Sequence, residues 1–324
     1  MTTLVTGAAG FIGFHLADRL LAAGERVIGI DVFMPYYLPR LKDDRIAELK
    51  RRHGDAFMLL RVDFADHAAL DRAIERETFE RIAHLGAQPG VRYSIENPRA
   101  YAHSNLVGHL NMLEVARHRG VPMVYASSSS VYGGNASLPF RVCDRVDHPV
   151  SLYAATKKAD ELMSETYAHL YRLPLTGLRF FTVYGPWGRP DMAPWLFTEA
   201  ILKGQPIKLF NHGDMRRDFT YIDDIIDGVV AALGRPPLDD GGSPHLIYNL
   251  GNSRSEQLTR FIGVIEAACG REAIRELHPM QPGDVKDTYA DIGEARADLG
   301  FGPKVTLDEG IPRFVRWFRD YAAL

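Results

Sequence analysis

Short apolar runs alternate with longer amphipathic stretches through the first half of the chain. The apolar runs have the length of buried strands and occupy residues 3–6, 26–30, 56–61, 81–85, 121–126 and 175–181. Stretches with apolar residues at helical spacing lie between them, the longest at residues 98–118 and 152–171. Strands that alternate with helices predict an α/β fold built on an open, doubly wound parallel sheet.

The pattern changes after residue 181. Residues 182–193 are rich in glycine and proline and are predicted to be irregular. Helices are predicted at 194–203, 223–233, 255–269 and 307–321, and strands at 207–210 and 246–250. These pieces predict a smaller, mixed α/β C-terminal domain over the carboxyl edge of the sheet, where such folds bind ligands. We expect the sheet domain to comprise residues 1–178 and 219–251, and the second domain residues 179–218 and 252–324.

Three glycines, Gly7, Gly10 and Gly13, lie between the first strand and a helix predicted at residues 11–23. Their spacing is G-x-x-G-x-x-G, and in this setting glycines let the backbone approach a pyrophosphate at the helix N-terminus. Asp31 closes the second strand, about 20 positions further on, where a carboxylate can accept hydrogen bonds from an adenosine ribose. Its charge would repel a 2′-phosphate, so the pattern favours NAD over NADP on a Rossmann-type sheet. The plainer interpretation is a strand-end aspartate that caps a turn.

A serine run, residues 127–130, follows the fifth predicted strand, and Tyr153 and Lys157 lie near the start of the helix predicted at 152–171. Residues four apart share one face of a helix. A phenol ionises near pH ~10, and a nearby ammonium favours its ionised form. With Ser128 holding the oxygen of an alcohol, the set is suited to moving a proton on and off a carbinol. An isolated Tyr–Lys pair is usually a packed ring beside a solvated charge, but the glycine loop in the same chain favours chemistry.

Composition narrows the class of protein. The 324 residues are 46% apolar and 24% charged, and the formal net charge of -3 gives no reason to expect nucleic acid as a partner. The two cysteines, Cys143 and Cys269, lack the spacing of a metal site, so we expect no metal and a reducing, cytoplasmic location. No apolar run approaches the ~20 residues of a membrane span, so no membrane contact is expected.

Four further segments are distinctive: residues 88–94 (QPGVRYS), 179–192 (RFFTVYGPWGRPDM), 217–224 (RDFTYIDD) and 280–284 (MQPGD). With the glycine loop and the Tyr–Lys pair, they resemble the extended short-chain dehydrogenase/reductases and, within them, the nucleotide-sugar epimerases. The finer resemblance is to UDP-glucuronate 4-epimerases, and it extends from Gly7 to the C-terminal helix.

The resemblance implies NAD-dependent conversion of UDP-glucuronate to UDP-galacturonate. Tyr153, as phenolate, takes the proton of the sugar 4-hydroxyl, Lys157 favours the phenolate and holds the nicotinamide ribose, and Ser128 bonds to the 4-oxygen. Hydride leaves C4 for NAD⁺, the 4-keto sugar turns over, and hydride returns to its other face. The resemblance also implies a homodimer formed through the two long helices.

The same resemblance implies the remaining site residues. The cofactor is expected to contact Gly7, Gly10, Phe11, Ile12, Gly13, Asp31, Asp63, Phe64, Leu85, Ala87, Tyr153 and Lys157, with Asp63 near the adenine amino group. The UDP-sugar is expected to contact Arg92, Ser128, Ser129, Ser130, Thr182, Arg189, Phe210, Arg217 and Asp284. In that set Arg217 holds the phosphates, Phe210 packs on uracil and Asp284 touches ribose. Ser129, Ser130, Thr182 and Arg189 cradle the sugar carboxylate.

Related activities remain alternatives. UDP-glucuronate decarboxylases carry a glutamate before Val-Tyr-Gly, and sugar 4,6-dehydratases carry an Asp-Glu pair there, whereas this chain has Ser129 and Ser130. A UDP-glucose 4-epimerase would use the same base and hydride chemistry, and the polar carboxylate pocket disfavours it. A non-catalytic NAD-binding sensor is disfavoured because Ser128, Tyr153 and Lys157 are all present.

Overall fold

The structure is a computed structural model that describes residues 1–281 and 285–324. The strands in these residues are β1 (Thr2–Thr6), β2 (Arg26–Ile30), β3 (Phe57–Leu60), β4 (Arg81–His84), β5 (Met123–Ser128), β6 (Leu175–Phe180), β7 (Thr182–Tyr184), β8 (Pro206–Leu209), β9 (Arg216–Tyr221), β10 (His245–Leu250), β11 (Ser255–Gln257) and β12 (Ile274–Leu277). The α-helices are α1 (Phe11–Ala22), α2 (Pro39–His53), α3 (His67–Ile74), α4 (Tyr93–Glu96), α5 (Pro98–Tyr101), α6 (Gly108–Arg119), α7 (Leu152–Tyr171), α8 (Ala193–Lys203), α9 (Ile222–Leu233), α10 (Leu258–Cys269), α11 (Gly293–Leu299) and α12 (Leu307–Ala322).

Seven parallel strands form the central sheet, in the order β10-β6-β5-β4-β1-β2-β3. Successive side chains of a strand point to opposite faces, so each strand serves two cores. In β1, Leu4 packs into the core that contains Leu70 and Leu113, whereas Val5 packs into the core that contains Phe14 and Ile226. This is the predicted Rossmann-type doubly wound fold, which the structure confirms.

Two small sheets lie beyond the central one. β7 pairs in parallel with β9, β11 pairs antiparallel with β9, and β12 pairs in parallel with β8. The expected domain boundaries at residues 178 and 218 fall inside β6 and β9. The division into a cofactor domain and a substrate domain stays a prediction.

Several element boundaries differ from the prediction. The fifth strand extends past residue 126 because Ser127 and Ser128 pair with Arg179 and Phe180 of β6. Residues 182–184 are strand β7, and residues 255–257 are strand β11 rather than the first turn of a helix. Both pair with β9, a strand that the periodicity did not predict, so local pattern could not indicate them. The long helix predicted at 98–118 is interrupted by a π-helical stretch, Ala102–Val107.

Candidate active site

A cleft of about 370 Å³ lies at the carboxyl ends of the central strands. It collects predicted site residues that are up to 182 positions apart in sequence, from Gly7 to Arg189. Those lining it are Gly7, Gly10, Phe11, Ile12, Gly13, Asp31, Asp63, Phe64, Leu85, Ala87, Ser128, Ser129, Ser130, Tyr153, Lys157, Thr182 and Arg189. The sheet therefore brings the glycine loop, the serine run and the Tyr–Lys pair to one place.

The glycine loop forms a tight turn into α1. Gly7 has a left-handed φ of 68°, and the Gly10 amide donates to the Gly7 carbonyl at 2.8 Å. A Cβ on Gly13 would overlap that same carbonyl oxygen. Helix α1 begins at Phe11, directly after the loop, so its N-terminus faces the cleft that Gly10 and Phe11 line. The loop thus leaves a side-chain-free surface suited to a pyrophosphate.

Asp31 lies at the end of β2 and is 7% exposed. Its carboxylate accepts hydrogen bonds from the amides of Ala9, at 3.1 Å, and Phe33, at 2.8 Å. The Lys42 ammonium lies 3.9 Å from Asp31 Oδ1 and donates to the Met34 carbonyl at 3.0 Å. Asp31 therefore does cap the turn, as the plainer interpretation expected, and it also lines the cleft. The two roles are compatible because a carboxylate has about four acceptor positions.

Asp63 lies further along this edge of the sheet. Its Oδ1 accepts from the Ala65 amide at 2.9 Å, and its Oδ2 lies 2.8 Å from His103 Nε2. Phe64, Leu85 and Ala87 line the cleft beside it. These residues give this part of the cleft an apolar lining with one carboxylate, which is the chemistry of a site for an aromatic base.

The serine run continues from β5 into a short 3₁₀ turn, Ser129–Tyr132. Ser128 Oγ accepts from the Ser130 amide at 3.1 Å and donates to Ser130 Oγ at 3.2 Å. Ser127 Oγ donates instead to Glu161 at 2.7 Å. All four serines line the cleft, and the Ser127 hydroxyl also anchors the strand to α7.

A buried ion pair lies behind the run. Arg179 donates from Nε and NH2 to the two Glu161 oxygens at 2.7 and 2.8 Å, and both side chains are at most 2% exposed. Arg179 NH1 also donates to the Tyr132 hydroxyl at 3.0 Å. A bidentate ion pair of this kind adds geometric specificity as well as binding energy. It joins β6 and α7 to the turn that presents Ser128, Ser129 and Ser130.

Tyr153 and Lys157 lie in the first turns of α7, whose N-cap Ser151 accepts from the Ala154 amide at 3.1 Å. Lys157 Nζ donates to the Ala126 carbonyl at 2.9 Å and to Asp160 Oδ2 at 3.0 Å. Burial raises the pKa of the Asp160 carboxyl to about 6, and the Lys157 ammonium acts in the opposite direction. The lysine is thus held at two points, both on the side of α7 that meets β5.

Arg189 lies in the loop after β7. Its Nε donates to Asp191 Oδ1 at 3.0 Å, and the Tyr36 hydroxyl donates to Asp191 Oδ2 at 3.0 Å. Burial acts to lower the pKa of the Arg189 guanidinium, but the Asp191 carboxylate raises it above its ordinary value. Burial raises the pKa of the Tyr36 phenol to about 12, with Asp191 acting in the same direction. Arg189 is therefore a permanently charged, paired group in the cleft and not a solvated loop residue.

Three other predicted substrate residues do not line this cleft. Arg92, Phe210 and Arg217 are not among the described residues that line it. The Arg92 guanidinium lies 4.7 Å from the centre of the Phe210 ring, and Arg217 NH1 donates to the carbonyls of Arg216, at 2.9 Å, and Lys286, at 2.8 Å. Asp284 lies outside the described residues. Its expected contact with ribose, and the phosphate role of Arg217, stay predictions.

Sequence patterns missed several residues that build the site. Asn105, 1% exposed, bonds to the main chain of Gln88 and to Thr156 Oγ1, so it joins the loop after β4 to α7. The π-helical stretch that carries it is a known sign of function, but it cannot be detected from periodicity. Asp160 could have been inferred, because it lies three positions after Lys157 on one helix.

Arg45 gave no such signal, since it lies in a strongly charged helix that looks solvated. It is fully buried and donates to the carbonyls of Ala9, at 2.8 Å, and Gly188, at 3.3 Å. It also donates to the Tyr37 hydroxyl at 2.9 Å. One guanidinium thereby fastens the glycine loop to the loop that carries Arg189.

In residues 1–281 and 285–324, no cluster of three or more His, Cys, Asp and Glu side chains is arranged to hold a metal ion. No helix in that part of the chain has the length and apolar character needed to cross a bilayer.

Comparison with known proteins places this arrangement in a family. Residues 3–251 match the model of the NAD dependent epimerase/dehydratase family. The chain is 47% identical to a probable UDP-glucuronate 4-epimerase of Rhizobium meliloti (strain 1021), over 98% of this chain and 97% of that protein.

Two solved structures have the same fold over 99% of this chain and 100% of theirs. One is the UDP-glucuronic acid 4-epimerase of Bacillus cereus in complex with UDP-glucuronic acid and NAD, with a TM-score of 0.89 and 32% identity. The other is the UDP-glucose 4-epimerase of Thermotoga maritima with UDP-glucose, with a TM-score of 0.87 and 29% identity. The chain belongs to the NAD dependent epimerase/dehydratase family, and NAD is its cofactor.

Proposed function

We propose that this protein catalyses the NAD-dependent 4-epimerisation of UDP-glucuronate to UDP-galacturonate through a transient 4-keto sugar. The observation that carries the proposal is the composition of one cleft. It holds Tyr153 and Lys157 beside Ser129, Ser130, Thr182 and Arg189. These last four offer three hydroxyls and a guanidinium, a set suited to a carboxylate, and residues 129 and 130 supply no acid for elimination or decarboxylation.

The residues of the cleft fit NAD. The glycine loop turns so tightly that a Cβ on Gly13 would overlap the Gly7 carbonyl oxygen, and Asp31 presents an acceptor where an adenosine ribose is bound in this type of fold. Phe64, Leu85 and Ala87 supply apolar contacts, and Lys157 reaches the cleft from α7. When bound, NAD⁺ supplies a hydride acceptor for C4 of the sugar and a hydride donor for the return step.

Tyr153 is the proposed base for the 4-hydroxyl. It takes the proton as the alcohol becomes a ketone and gives it back when the alcohol forms again, so no proton is consumed over a cycle. Ser128, held at the end of β5, donates to or accepts from the 4-oxygen. Lys157 contributes a positive charge that favours the phenolate. The sugar must turn over between the two steps, while Arg217 and Arg92 are proposed to hold the nucleotide and diphosphate.

The orientation of the sugar carboxylate on C5 must also be controlled during the reaction. A 4-ketone with a carboxylate on C5 is a β-keto acid, which loses CO₂ when the breaking bond overlaps the carbonyl. We propose that Arg189, Thr182, Ser129 and Ser130 keep the carboxylate out of that alignment. All four line the same cleft as Tyr153 and Lys157.

The decisive experiment incubates the purified protein with UDP-glucuronate and, separately, with UDP-glucose, and resolves the products by NMR. We expect UDP-galacturonate from the first and little turnover of the second. Conversion of UDP-glucose at an equal or greater kcat/KM would reject the carboxylate assignment. Release of a UDP-pentose and CO₂ would identify a decarboxylase, and no turnover of either sugar would identify a binding protein.

The second candidate, UDP-glucose 4-epimerisation, is favoured by one observation. The Arg189 guanidinium already has Asp191 as its counter-charge, so a neutral hydroxymethyl group would not leave a buried cation unpaired. Selection against glucose would then rest on the hydroxyls and on the room available at C5. The two-substrate experiment separates the candidates directly.

We further propose that the protein is a homodimer in the cytoplasm. The long helices carry outward apolar side chains, including Leu162 and Leu170 on α7, at 58% and 61% exposure, and Leu110 on α6, at 40%. Burial of such side chains favours association. Light scattering should give twice the mass of one chain, and Leu162→Glu should give monomers. The free thiols of Cys143 and Cys269 support the proposed reducing location.

A further inference from the structure

The ammonium of Lys157 shares a buried position with a carboxylate. Lys157 Nζ donates to Asp160 Oδ2 at 3.0 Å, and the two side chains are 3% and 0% exposed. Asp160 follows Lys157 by three positions on α7, so the two project from one face of the helix. Lys157 Nζ also donates to the Ala126 carbonyl at 2.9 Å, which fixes the ammonium between α7 and β5.

The carboxylate is only half satisfied by the protein. Asp160 Oδ1 is buried and has no hydrogen-bond partner, whereas Oδ2 has Lys157. Buried polar atoms are nearly always paired, so an orphaned carboxylate oxygen next to a functional lysine calls for a role. Packing alone would be served better by an apolar side chain.

The neighbours of Asp160 leave Lys157 as its positive partner. On the same helix, the Lys157 ammonium favours the ionised form of Asp160, and the Glu161 carboxylate disfavours it. From α6, the His109 ring is hydrogen-bonded to the main chain of Asp160, and burial holds the pKa of that ring well below its usual range. From β4, burial lowers the pKa of His84 to about 3, and from β5, burial raises the pKa of the Tyr125 phenol. The two rings and the phenol are therefore neutral near pH 7.

We infer that Asp160 is a positioning residue that fixes the Lys157 ammonium and moderates the charge that this ammonium presents to Tyr153. The inference rests on the proposed function, because Tyr153 and Lys157 act there as base and charge partner. A cation favours a phenolate in proportion to its net field, and a carboxylate at hydrogen-bond distance cancels part of that field.

The effect of Asp160 on the charge that Lys157 presents to Tyr153 should depend on pH. Burial raises the pKa of Asp160 to about 6, against the effect of Lys157, so the carboxyl takes up a proton as pH falls through that region. Above it, the ionised carboxylate opposes formation of the phenolate. Removing the carboxylate charge should therefore move the acid limb of the activity profile to lower pH, while an amide in the same place can still accept from Lys157.

The test compares kcat against pH for the wild-type protein, Asp160→Asn and Ser164→Ala, with UDP-glucuronate as substrate. Ser164 is a matched control, because it is fully buried on α7 and bonds to His109 rather than to Lys157. We expect the acid limb of Asp160→Asn to lie ~1 pH unit lower, in the range of effects that one neighbouring charge exerts. The limb of Ser164→Ala should coincide with that of the wild type.

A second measurement does not depend on turnover. The ultraviolet absorbance of tyrosine phenolate is titrated in the wild type and in Tyr153→Phe, and their difference isolates Tyr153. The same difference is taken between Asp160→Asn and the double variant Asp160→Asn/Tyr153→Phe. In this second pair, the phenolate absorbance assigned to Tyr153 should appear at lower pH than in the first pair. Asp160→Ser serves if the amide variant does not fold.

The outcomes separate the two proposals. Coincident phenolate titrations with and without the Asp160 carboxylate would overturn the inference, even if UDP-glucuronate is epimerised normally. A shifted titration in a protein that fails to epimerise UDP-glucuronate would support the role of Asp160 and reject the proposed function instead.

Discussion

Arg189 and Asp191, two positions apart in the loop after β7, form an ion pair at the wall of the cleft. Arg189 Nε donates to Asp191 Oδ1 at 3.0 Å, and the side chains are 20% and 29% exposed. The Tyr36 hydroxyl donates to the same carboxylate at 3.0 Å, and the Arg189 guanidinium lies 5.8 Å from the centre of the Tyr36 ring. A substrate carboxylate would therefore meet an arginine whose charge is balanced, and it must share the guanidinium with Asp191 or displace it.

The first prediction concerns this arginine. Arg189→Ala should weaken the binding of UDP-glucuronate by ~10-fold or more, since hydrogen bonds to charged groups contribute ~1.5–3 kcal/mol. It should also let part of the keto intermediate lose CO₂, which leaves a 4-keto pentose and the reduced cofactor. KM measurements, product analysis by mass spectrometry and the absorbance of reduced nicotinamide check these outcomes.

Arg145 provides the control, because it too pairs with an aspartate two positions on, Asp147, at 2.9 Å, but is 87% exposed. Arg145→Ala should leave KM and products unchanged. If Arg189→Ala epimerises UDP-glucuronate cleanly, with the KM of the wild type and no pentose, the carboxylate role of Arg189 is wrong.

The second prediction concerns the base. Tyr153→Phe keeps the ring and removes the hydroxyl that accepts the proton, so kcat should fall by ~10²-fold or more, as is typical for loss of a general base. NAD should stay bound, because the contacts proposed for the glycine loop are untouched. Tyr171→Phe, a substitution near the exposed end of the same helix, should retain activity. Turnover of Tyr153→Phe at the wild-type rate would end the mechanism proposed for this chain.

The third prediction concerns cofactor choice. A 2′-phosphate near Asp31 would experience a repulsion of ~4 kcal/mol for two charges at ~4 Å and an effective dielectric constant of ~20. We expect the wild-type protein to bind NAD in preference to NADP, and Asp31→Asn to narrow that preference by ~10-fold or more. Lys42, 3.9 Å from Asp31, would then face the phosphate without a carboxylate beside it. Calorimetry with both nucleotides measures the ratio.

Asp63→Asn is the control for Asp31→Asn. It removes a carboxylate from the same cleft, beside Phe64 rather than beside the glycine loop. It should change the affinity for the two nucleotides alike. An NAD-to-NADP ratio that is the same in the wild type and in Asp31→Asn would show that Asp31 does not select the cofactor.

The sequence predicted the sheet and most of the cleft because the signals there are local. The glycine loop can be recognised from the strand and the helix that flank it. The Tyr–Lys pair can be recognised from its spacing of one helical turn. The parallel sheet then aligns the carboxyl ends of its strands, so Gly7, Ser128 and Thr182 meet without any long-range signal in the sequence.

The residues that escaped prediction act through contacts between distant elements. Arg45 lies in a helix with many charges, and nothing local distinguishes it from its exposed neighbours until the loop of Trp187 and Gly188 closes over it. Strand β9 is detectable only through its partners β7 and β11, which are themselves three residues long. Short strands and buried charges depend on tertiary pairing, which periodicity does not record.

The last prediction concerns acid stability and rests on two buried histidines. His84 and His109 are 3% and 1% exposed, and their rings lie 5.3 Å apart. Burial, with Lys157 acting in the same direction, lowers the pKa of His84 to about 3, and burial holds the pKa of His109 well below its usual range. In the unfolded chain each ring binds a proton below pH ~6.5. Between that pH and the folded values the unfolded state binds more protons at these rings, so their contribution to the free energy of unfolding falls as the pH falls.

The slope is at most ~1.4 kcal/mol per pH unit for each ring. Asp160 and Asp218 act oppositely, because burial raises the pKa of each to about 6 and the folded state then binds more protons between pH ~3.8 and 6. A variant is therefore needed to isolate the histidine contribution. Urea unfolding at pH 7 and pH 5 should show a smaller pH effect in His109→Gln than in the wild type, by ~1–2 kcal/mol. The exposed His67→Gln should keep the wild-type pH effect, and if His109→Gln also keeps it, the buried ring is not what couples folding to pH.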